Sequence, residues 1–368
     1  MADYYIGVMS GTSMDAVDAV IVDFSTHPPQ LLASHSREVS TPLREELLEL
    51  AQPGNNEIDR MALLDRQIGN LIAELCNELI TTTDINREQI AAIGSHGQTI
   101  RHAPDSTPSY TVQIGDPNTI AQLTGLSTVA DFRRRDMVVG GQGAPLVPAF
   151  HQALFQCDEK NRVVMNIGGI ANITVLPAGA SGQVFGFDTG PGNMLMDAWI
   201  QHHLNQPYDT DGDWASSGAI EPELLGHLLR DPYLGKPPPK STGREHYSLK
   251  WLEPHLQKEY ALEDVQATLC EFTAISATSA IRQFAPQTEE IFVCGGGTRN
   301  SYLMERITHN LVGCRFNTTA ELGVDPQWVE AMAFAWLARQ TLLHLPGNLP
   351  AVTGASQSVI LGAIYPAP

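Results

Sequence analysis

Basic residues are scarce in this sequence. Lysine and arginine together number 22, against 41 aspartate and glutamate residues, and the formal net charge is −19 at pH 7. Apart from Arg133-Arg134-Arg135, no block of basic residues occurs. The composition therefore argues against nucleic acid and anionic membrane surfaces as partners. An anionic substrate would need a locally positive pocket or a metal ion.

Paired cysteines and long apolar runs are also missing. The five cysteines are far apart and none forms a CxxC motif, so we expect reduced thiols and no zinc site. No uninterrupted apolar stretch approaches the length of a membrane span. The first residues lack the basic region of a signal peptide, and we therefore expect a cytoplasmic protein.

The apolar material that is present suits two domains. The chain has 368 residues, of which 43% are hydrophobic, and this length favours two cores over one. Residues 5–24 are predicted as strand, small-residue turn and strand, and residues 162–176 repeat that plan. The pattern predicts two related halves that arose by duplication. We predict a flexible connection at residues 140–145, near the domain crossover, and an insertion at residues 205–262.

The turn Ser10-Gly11-Thr12-Ser13 has the composition of a phosphate-binding loop. Its small residues leave backbone N–H groups open to an anion, and its hydroxyls add donors. Asp15 and Asp18 follow, where a cation bridging phosphates would sit. The alternative is a hairpin turn whose residues serve geometry only. The loop lacks the Gly-Lys-Ser/Thr end of a Walker A motif.

Asp188 and a glycine triplet each allow two interpretations. Asp188 follows a strand predicted at residues 183–187, and it is either an N-cap or Asx-turn residue or a general base. The triplet Gly295-Gly296-Gly297 is either a tight turn or a place where a flat ring such as adenine lies against bare backbone.

The roles of three charged or titratable residues also remain open. Arg133 either pairs with Asp131 or Asp136 or binds a substrate carboxylate. Glu330 either complements the dipole of a helix predicted at residues 326–343 or points into a pocket. His96, in a polar loop predicted at residues 95–99, has a structural or a functional role.

Seven short motifs occur in a fixed order and together resemble one family. They are Met9-Ser10-Gly11-Thr12-Ser13-Met14-Asp15, Ser95-His96-Gly97-Gln98-Thr99, Asp131-Phe132-Arg133, Gly140-Gly141-Gln142-Gly143-Ala144-Pro145-Leu146, Asn166-Ile167-Gly168-Gly169-Ile170-Ala171-Asn172, Phe187-Asp188-Thr189-Gly190-Pro191-Gly192-Asn193 and Cys294-Gly295-Gly296-Gly297. The set spans nearly the whole chain and resembles the 1,6-anhydro-N-acetylmuramic acid kinases of bacterial peptidoglycan recycling.

The resemblance implies a fold and a domain organisation. The family belongs to the sugar kinase, heat-shock ATPase and actin superfamily. The implied fold class is α/β, with two related domains of the ribonuclease H-like, actin-type ATPase fold and a deep interdomain cleft. The implied domains are residues 1–132 with about 345–368, and residues 133–344 with the insertion near 205–262.

The resemblance also implies site residues. Asp188 would be the catalytic base. Sugar contacts would come from Arg133 and Glu330, with His96 and Gln98 as further candidates. Nucleotide contacts would come from two phosphate loops and an adenosine contact: Gly11, Thr12, Ser13, Met14, Asp15, Ala16, Val17 and Asp18; Gly168 and Gly169; and Gly295, Gly296 and Gly297. The metal ligands stay open.

The implied reaction opens the anhydro bond of the sugar with water and phosphorylates O6 with ATP and Mg²⁺. A homodimer is implied as well. One departure from the family is Ala16, where a glycine is usual; a positive φ there would cost roughly 1 kcal/mol. The alternatives are a kinase for another anhydro sugar such as levoglucosan, or a nucleotide-gated sugar sensor or assembly ATPase on the same fold.

Overall fold

The computed structural model describes residues 3–11, 14–179, 182–243, 246–311 and 313–368. Contacts within the chain define two compact units. Unit 1 contains the chain up to Leu154 together with Gly323–Pro368, and unit 2 is Phe155–Leu322. Among the described residues, no helix is long and apolar enough to cross a membrane.

The strands are, in chain order, β1 (Tyr4–Ser10), β2 (Ala16–Asp23), β3 (Gln30–Glu38), β4 (Ile90–Ser95), β5 (Gln98–Ala103), β6 (Tyr110–Ile114), β7 (Thr128–Ala130), β8 (Arg162–Ile167), β9 (Ile170–Leu176), β10 (Phe185–Pro191), β11 (Glu290–Cys294), β12 (Arg315–Thr318) and β13 (Ala363–Tyr365). The helices are α1 (Thr41–Leu50), α2 (Glu57–Thr81), α3 (Pro117–Thr124), α4 (Arg134–Val138), α5 (Val147–Phe155), α6 (Met194–Leu204), α7 (Asp213–Ser217), α8 (Pro222–Leu228), α9 (Leu249–Leu252), α10 (Leu262–Phe284), α11 (Ser301–Asn310), α12 (Val329–Leu342) and α13 (Pro350–Thr353).

Five strands of the main sheet in unit 1 have the same order as the five strands of the main sheet in unit 2. In unit 1 the order is β3-β2-β1-β4-β7-β13. Strand β2 pairs antiparallel with both β1 and β3, whereas β4 pairs parallel with both β1 and β7. In unit 2 the order is β10-β9-β8-β11-β12, with the same directions. This repeat confirms the predicted α/β fold with two related halves.

Helix α2 in unit 1 forms where the helical spacing of apolar residues predicts it. Leu64, Ile68, Ile72, Leu75 and Leu79 are all buried and belong to one apolar core. They lie at spacings of three or four residues, which places them on one face of a helix.

Two glycines let α12 lie directly against the sheet of unit 1. A Cβ atom on Gly7 in β1 would lie 1.9 Å from the carbonyl oxygen of Ala331, and one on Gly94 in β4 would lie 2.1 Å from that of Phe334. Because of this packing, α12 belongs to unit 1. The compact units therefore divide at other residues than the predicted domains, which put residues 133–344 together.

The predicted polar loop at residues 95–99 is largely wrong. Ser95 ends β4, and Gln98 already begins β5, whose first residue pairs with Ile114 of β6. Strand β5 forms because of this partner further along the chain, which local composition does not reveal. The prediction also missed β12, α4 and α5.

Residues 140–145 form an anchored loop and not the flexible connection that the glycines predicted. The buried carboxylate of Asp136 accepts the N–H of Gly143 at 2.8 Å. Its other oxygen accepts from Asn348 Nδ2 and Thr353 Oγ1, both at 2.7 Å. These bonds tie the loop to the C-terminal segment of unit 1.

Candidate active site

The β1–β2 turn of unit 1 is described only in part, since Thr12 and Ser13 lie outside the described residues. Gly11 is partly exposed, and its carbonyl accepts the N–H of Met14 at 3.3 Å. Met14 carries the left-handed conformation of the turn (φ 54°), with its side chain buried in the core. The core contact holds Met14 in a conformation that a side chain ordinarily disfavours.

Ala16 is not strained. It is the first residue of β2, where it pairs with Glu38, and its φ is not among the positive values of the described residues. Its N–H donates to Asp15 Oδ1 at 3.0 Å. The expected cost of replacing glycine at this position is therefore absent. Val17 is fully buried, so only its main chain is open to a ligand, whereas Asp15 is exposed and Asp18 partly exposed.

His96 and Arg133 form the centre of a polar cluster in unit 1. Arg133 Nε and Nη2 lie 3.1 Å and 2.9 Å from His96 Nε2, and Arg133 Nη1 donates to the carbonyl of Gly143 at 2.8 Å. Because an arginine offers only donors, His96 Nε2 accepts and the neutral ring keeps its proton on Nδ1. These contacts use three of the five N–H groups of the guanidinium. The two that remain suffice for a bidentate carboxylate.

Burial sets the charge state of this cluster. Burial and then the charge of Arg133 lower the pKa of His96 to about 3. Burial also lowers the pKa of Arg133 to about 10, while the negative charges of Glu330 and Asp136 act in the opposite direction. At neutral pH the cluster therefore presents a neutral imidazole beside a guanidinium cation. The structure thus brings Arg133, Glu330 and His96 together.

Gln98 lies near the same cluster but is buried and engaged. Its Oε1 accepts from Ser10 Oγ at 2.6 Å, and its Nε2 donates to the carbonyl of Thr99 at 3.2 Å. The bond from Ser10 joins the end of β1 to the start of β5. A direct contact between Gln98 and a sugar stays a prediction.

In unit 2, the Gly168-Gly169 turn between β8 and β9 lies against the start of α6. The carbonyl of Gly169 accepts the N–H of Gly192 at 2.8 Å and that of Met194 at 3.2 Å, and the carbonyl of Gly168 accepts the N–H of Asn193 at 2.8 Å. Gly192 must be glycine here, because a Cβ atom would lie 2.3 Å from the carbonyl oxygen of Gly168.

The glycine triplet follows the neighbouring parallel strand. Cys294 pairs with Asn166, so Gly295 begins beside the end of β8. Gly295 has a φ of +87°, and a Cβ atom there would lie 2.4 Å from Asn166 Oδ1. A Cβ atom on Gly297 would lie 2.4 Å from Ile167 Cγ2, whereas Gly296 is exposed. The two glycine turns of unit 2 are thus adjacent, as a shared nucleotide site requires.

The sequence predicted that Asp188 follows the end of a strand, but the structure places it within β10. The strand continues to Pro191 with a register shift between Asp188 and Gly190. Asp188 pairs with Asn172, which in turn pairs with Asn166, so the three residues form one row across the sheet. An N-cap role is excluded, since α6 begins at Met194.

Asp188 is held at three points by Tyr233, Lys240 and Thr242. The N–H of Thr242 donates to Asp188 Oδ2 at 3.0 Å, and the main-chain N–H of Asp188 donates to the carbonyl of Lys240 at 3.2 Å. The hydroxyl of Tyr233 donates to the carbonyl of Asp188 at 2.7 Å. Burial and then the charge of Asp188 raise the pKa of the Tyr233 hydroxyl, so it stays protonated as a donor.

These contacts were not predicted, because residues 205–262 were interpreted as an insertion. A signal was available in the aromatic residues and histidine that flank the run of prolines at 237–239: Tyr233, His246, Tyr247 and Trp251.

Comparison with known proteins gives consistent matches over the full length. A family model described as anhydro-N-acetylmuramic acid kinase matches residues 3–367. Curated proteins of that name from Shewanella pealeana and Shewanella oneidensis are 53% and 54% identical, and the alignments cover 99% of this chain and 99% of each relative. A solved structure, the (R)-2-hydroxyglutaryl-CoA dehydratase component A of Acidaminococcus fermentans, has a TM-score of 0.48 and 12% identity, covering 90% of this chain and 96% of that chain. This structural similarity is too low to support a functional comparison.

Proposed function

The chain belongs to the anhydro-N-acetylmuramic acid kinase family, and we propose that it acts on 1,6-anhydro-N-acetylmuramic acid in peptidoglycan recycling. With ATP and water it yields N-acetylmuramic acid 6-phosphate and ADP. The proposal depends most on the match to relatives of this name over almost the whole length of both chains. A homodimer, proposed from the family resemblance alone, is tested by sedimentation equilibrium.

The substrate dictates what the base must do. O6 is bound to C1 in an internal ether, so it carries no proton that a base could remove. Water must therefore attack C1 while a base takes its proton, as in inverting glycoside hydrolysis. The C1–O6 bond breaks with its electron pair on O6, O6 bonds to the γ-phosphorus, and ADP leaves with the electrons of the broken P–O bond.

Asp188 is the residue that we assign as this base. Asp188 is partly exposed, and main-chain contacts fix its position in β10. A base held in a defined orientation contributes on the order of 10²–10⁴ in rate.

Arg133, Glu330 and His96 are proposed to bind the sugar. The substrate carries a lactyl carboxylate, and the two N–H groups that remain on Arg133 match such a group. His96 stays neutral at physiological pH, so it fixes the guanidinium without competing for the anion. Gln98 is proposed to support the cluster through Ser10.

The nucleotide is proposed to bind the β1–β2 turn and the two glycine turns of unit 2. Main-chain N–H groups in such turns bind phosphate without a counter-charge. Magnesium fits this arrangement, because it uses one or two carboxylates with substrate phosphates and water. Asp15 or Asp18 would hold the ion, which would neutralise charge on the phosphates. No group of three or more metal-binding side chains occurs among the described residues.

Isotope labelling tests the proposed reaction. The protein is incubated with 1,6-anhydro-N-acetylmuramic acid and ATP in ¹⁸O-labelled water, and the product is analysed by mass spectrometry. We expect one solvent oxygen at C1 and none in the 6-phosphate. Levoglucosan, which lacks the carboxylate, serves as the comparison substrate and should react far more slowly. Label in the phosphate group, or equal turnover of levoglucosan, would contradict the proposal.

A further inference from the structure

A second carboxylate in unit 2, Asp231, is connected to Asp188 through intervening side chains. His246 Nε2 lies 2.8 Å from Asp231 Oδ2. The other ring nitrogen, His246 Nδ1, lies 3.4 Å from Thr242 Oγ1. The main-chain N–H of Thr242 donates to Asp188 Oδ2 at 3.0 Å. The result is a continuous series of contacts from Asp231 to Asp188.

The direction of each hydrogen bond follows from the chemistry of the groups. The Asp231 carboxylate accepts the N–H of Tyr233 at its other oxygen, at 2.8 Å, so both oxygens act as acceptors. His246 therefore donates through Nε2–H, and in the neutral ring its Nδ1 is the acceptor. The hydroxyl of Thr242 then donates to Nδ1.

Asp231 also reaches Asp188 by a second route. It accepts the main-chain N–H of Tyr233, and the hydroxyl of the same tyrosine donates to the carbonyl of Asp188. The side chain of Asp231 is only 4% exposed, and that of His246 31%. The imidazole is stacked on Tyr247 with ring centroids 4.3 Å apart and an interplanar angle of 5°. The ring that joins the two carboxylates is thus held in orientation by packing as well as by hydrogen bonds.

We propose that Thr242 and His246 are positioning residues that fix the carboxylate of Asp188, with Asp231 as their buried anchor. The inference rests on the proposed function, in which Asp188 is the base. His246 orients the hydroxyl of Thr242, and this sets the peptide whose N–H binds Asp188 Oδ2. The carboxylate of Asp188 is then held in one orientation. Displacing a reacting group by about 1 Å can cost about 10²-fold in rate.

The Thr242→Val and Thr242→Ser pair tests this role. Valine keeps the shape of the side chain and the main-chain N–H but removes the hydroxyl, whereas serine keeps the hydroxyl. We expect Thr242→Val to lower kcat by about 10-fold or more, with both KM values within about twofold, and Thr242→Ser to stay close to wild type. A merely structural role would instead lower the melting temperature and leave kcat of the folded protein unchanged.

The His246→Asn and His246→Gln pair tests the same contact independently, should Thr242→Val not fold. Asparagine places an acceptor where Nδ1 was, whereas glutamine reaches Asp231 but leaves Thr242 without an acceptor. We expect His246→Asn to retain more of kcat than His246→Gln.

The outcomes distinguish the positioning role of Thr242 and His246 from the proposed role of Asp188 as the base. Wild-type kcat in Thr242→Val, or equal losses in the valine and serine variants, overturns the positioning role. If that occurs while Asp188→Asn is inactive, the proposed base stands and only the inference fails. Wild-type activity in Asp188→Asn overturns the assignment of the base, and with it the inference.

Discussion

The two units share a strand order, yet their central strands differ in glycine content. In unit 1, β1 and β4 contain Gly7 and Gly94, and α12 lies against the bare backbone. In unit 2, the corresponding strands β8 and β11 read Arg-Val-Val-Met-Asn-Ile and Glu-Ile-Phe-Val-Cys, without glycine. Their core is made of side chains instead. The same topology therefore forms with glycine in the central strands of unit 1 and without glycine in those of unit 2.

The candidate sites differ in a related way. Unit 1 orients its cation by side chains, since Arg133 is fixed by His96 and by a loop that Asp136 anchors. Unit 2 relies on main-chain groups: glycine carbonyls at the start of α6, and peptide groups around Asp188. Substitutions in unit 1 should therefore alter charge and packing, whereas those in unit 2 should alter geometry at one reacting group.

The largest effect is expected at Asp188 in unit 2. Asp188→Asn keeps an acceptor for the N–H of Thr242 but removes the base, so kcat should fall by about 10²–10⁴-fold. Product formation and nucleotide affinity are measured side by side, with the exposed Asp158→Asn as control. Near-normal turnover in Asp188→Asn would show that Asp188, which main-chain contacts hold in unit 2, is not the base.

A comparison of glycines sharpens the difference in packing. Gly7→Ala should lower the free energy of unfolding by about 1–3 kcal/mol or more, because the new Cβ atom meets a main-chain oxygen at 1.9 Å. Gly226→Ala in α8 of unit 2, with nothing within 4 Å, should raise it by up to about 1 kcal/mol. Thermal midpoints measured by circular dichroism provide the test. Equal midpoints in the two variants would remove the proposed dependence of unit 1 on its glycines.

Acid should weaken unit 1 through His96. Its pKa of about 3 lies below the ordinary 6.5, so the unfolded chain binds more protons between these pH values. The free energy of unfolding therefore falls as the pH falls through this window, by up to about 1.4 kcal/mol per pH unit for this residue. His96→Gln should flatten that dependence, although His151, whose pKa burial also lowers to about 3, retains its own contribution.

Urea unfolding at several pH values between 7.5 and 4 measures this difference. The exposed histidine variant His27→Gln is the matched control and should follow wild type. An unchanged pH dependence in His96→Gln would mean that the buried imidazole does not contribute to the acid sensitivity of unit 1.

The smallest effect is expected at Ala16. Since its φ is not positive, Ala16→Gly relieves no strain, and the added backbone freedom should cost about 0.5–1 kcal/mol at most. The KM for ATP should stay within about twofold of wild type. A clear fall in this KM would indicate that the β1–β2 turn binds ATP better with glycine at position 16. The turn would then depend on glycine as the turns of unit 2 do.

Local pattern was sufficient for much of the fold. The alternation and helical spacing of apolar residues predicted β1, β2, β8, β9 and α2, because these elements bury a face that their own sequence encodes. It failed for β5 and for the end of β10, where a distant partner strand decides the structure.

The site shows the same division. The sequence by itself determined the family, the repeated topology and the residues proposed for chemistry, because motifs are local and their order survives in the chain. Only the tertiary structure decided that Arg133 is hydrogen-bonded to His96, that Ala16 is unstrained and that Thr242 is hydrogen-bonded to Asp188. Hydrogen bonds between residues tens of positions apart depend on how the chain returns on itself, and no local spacing records that.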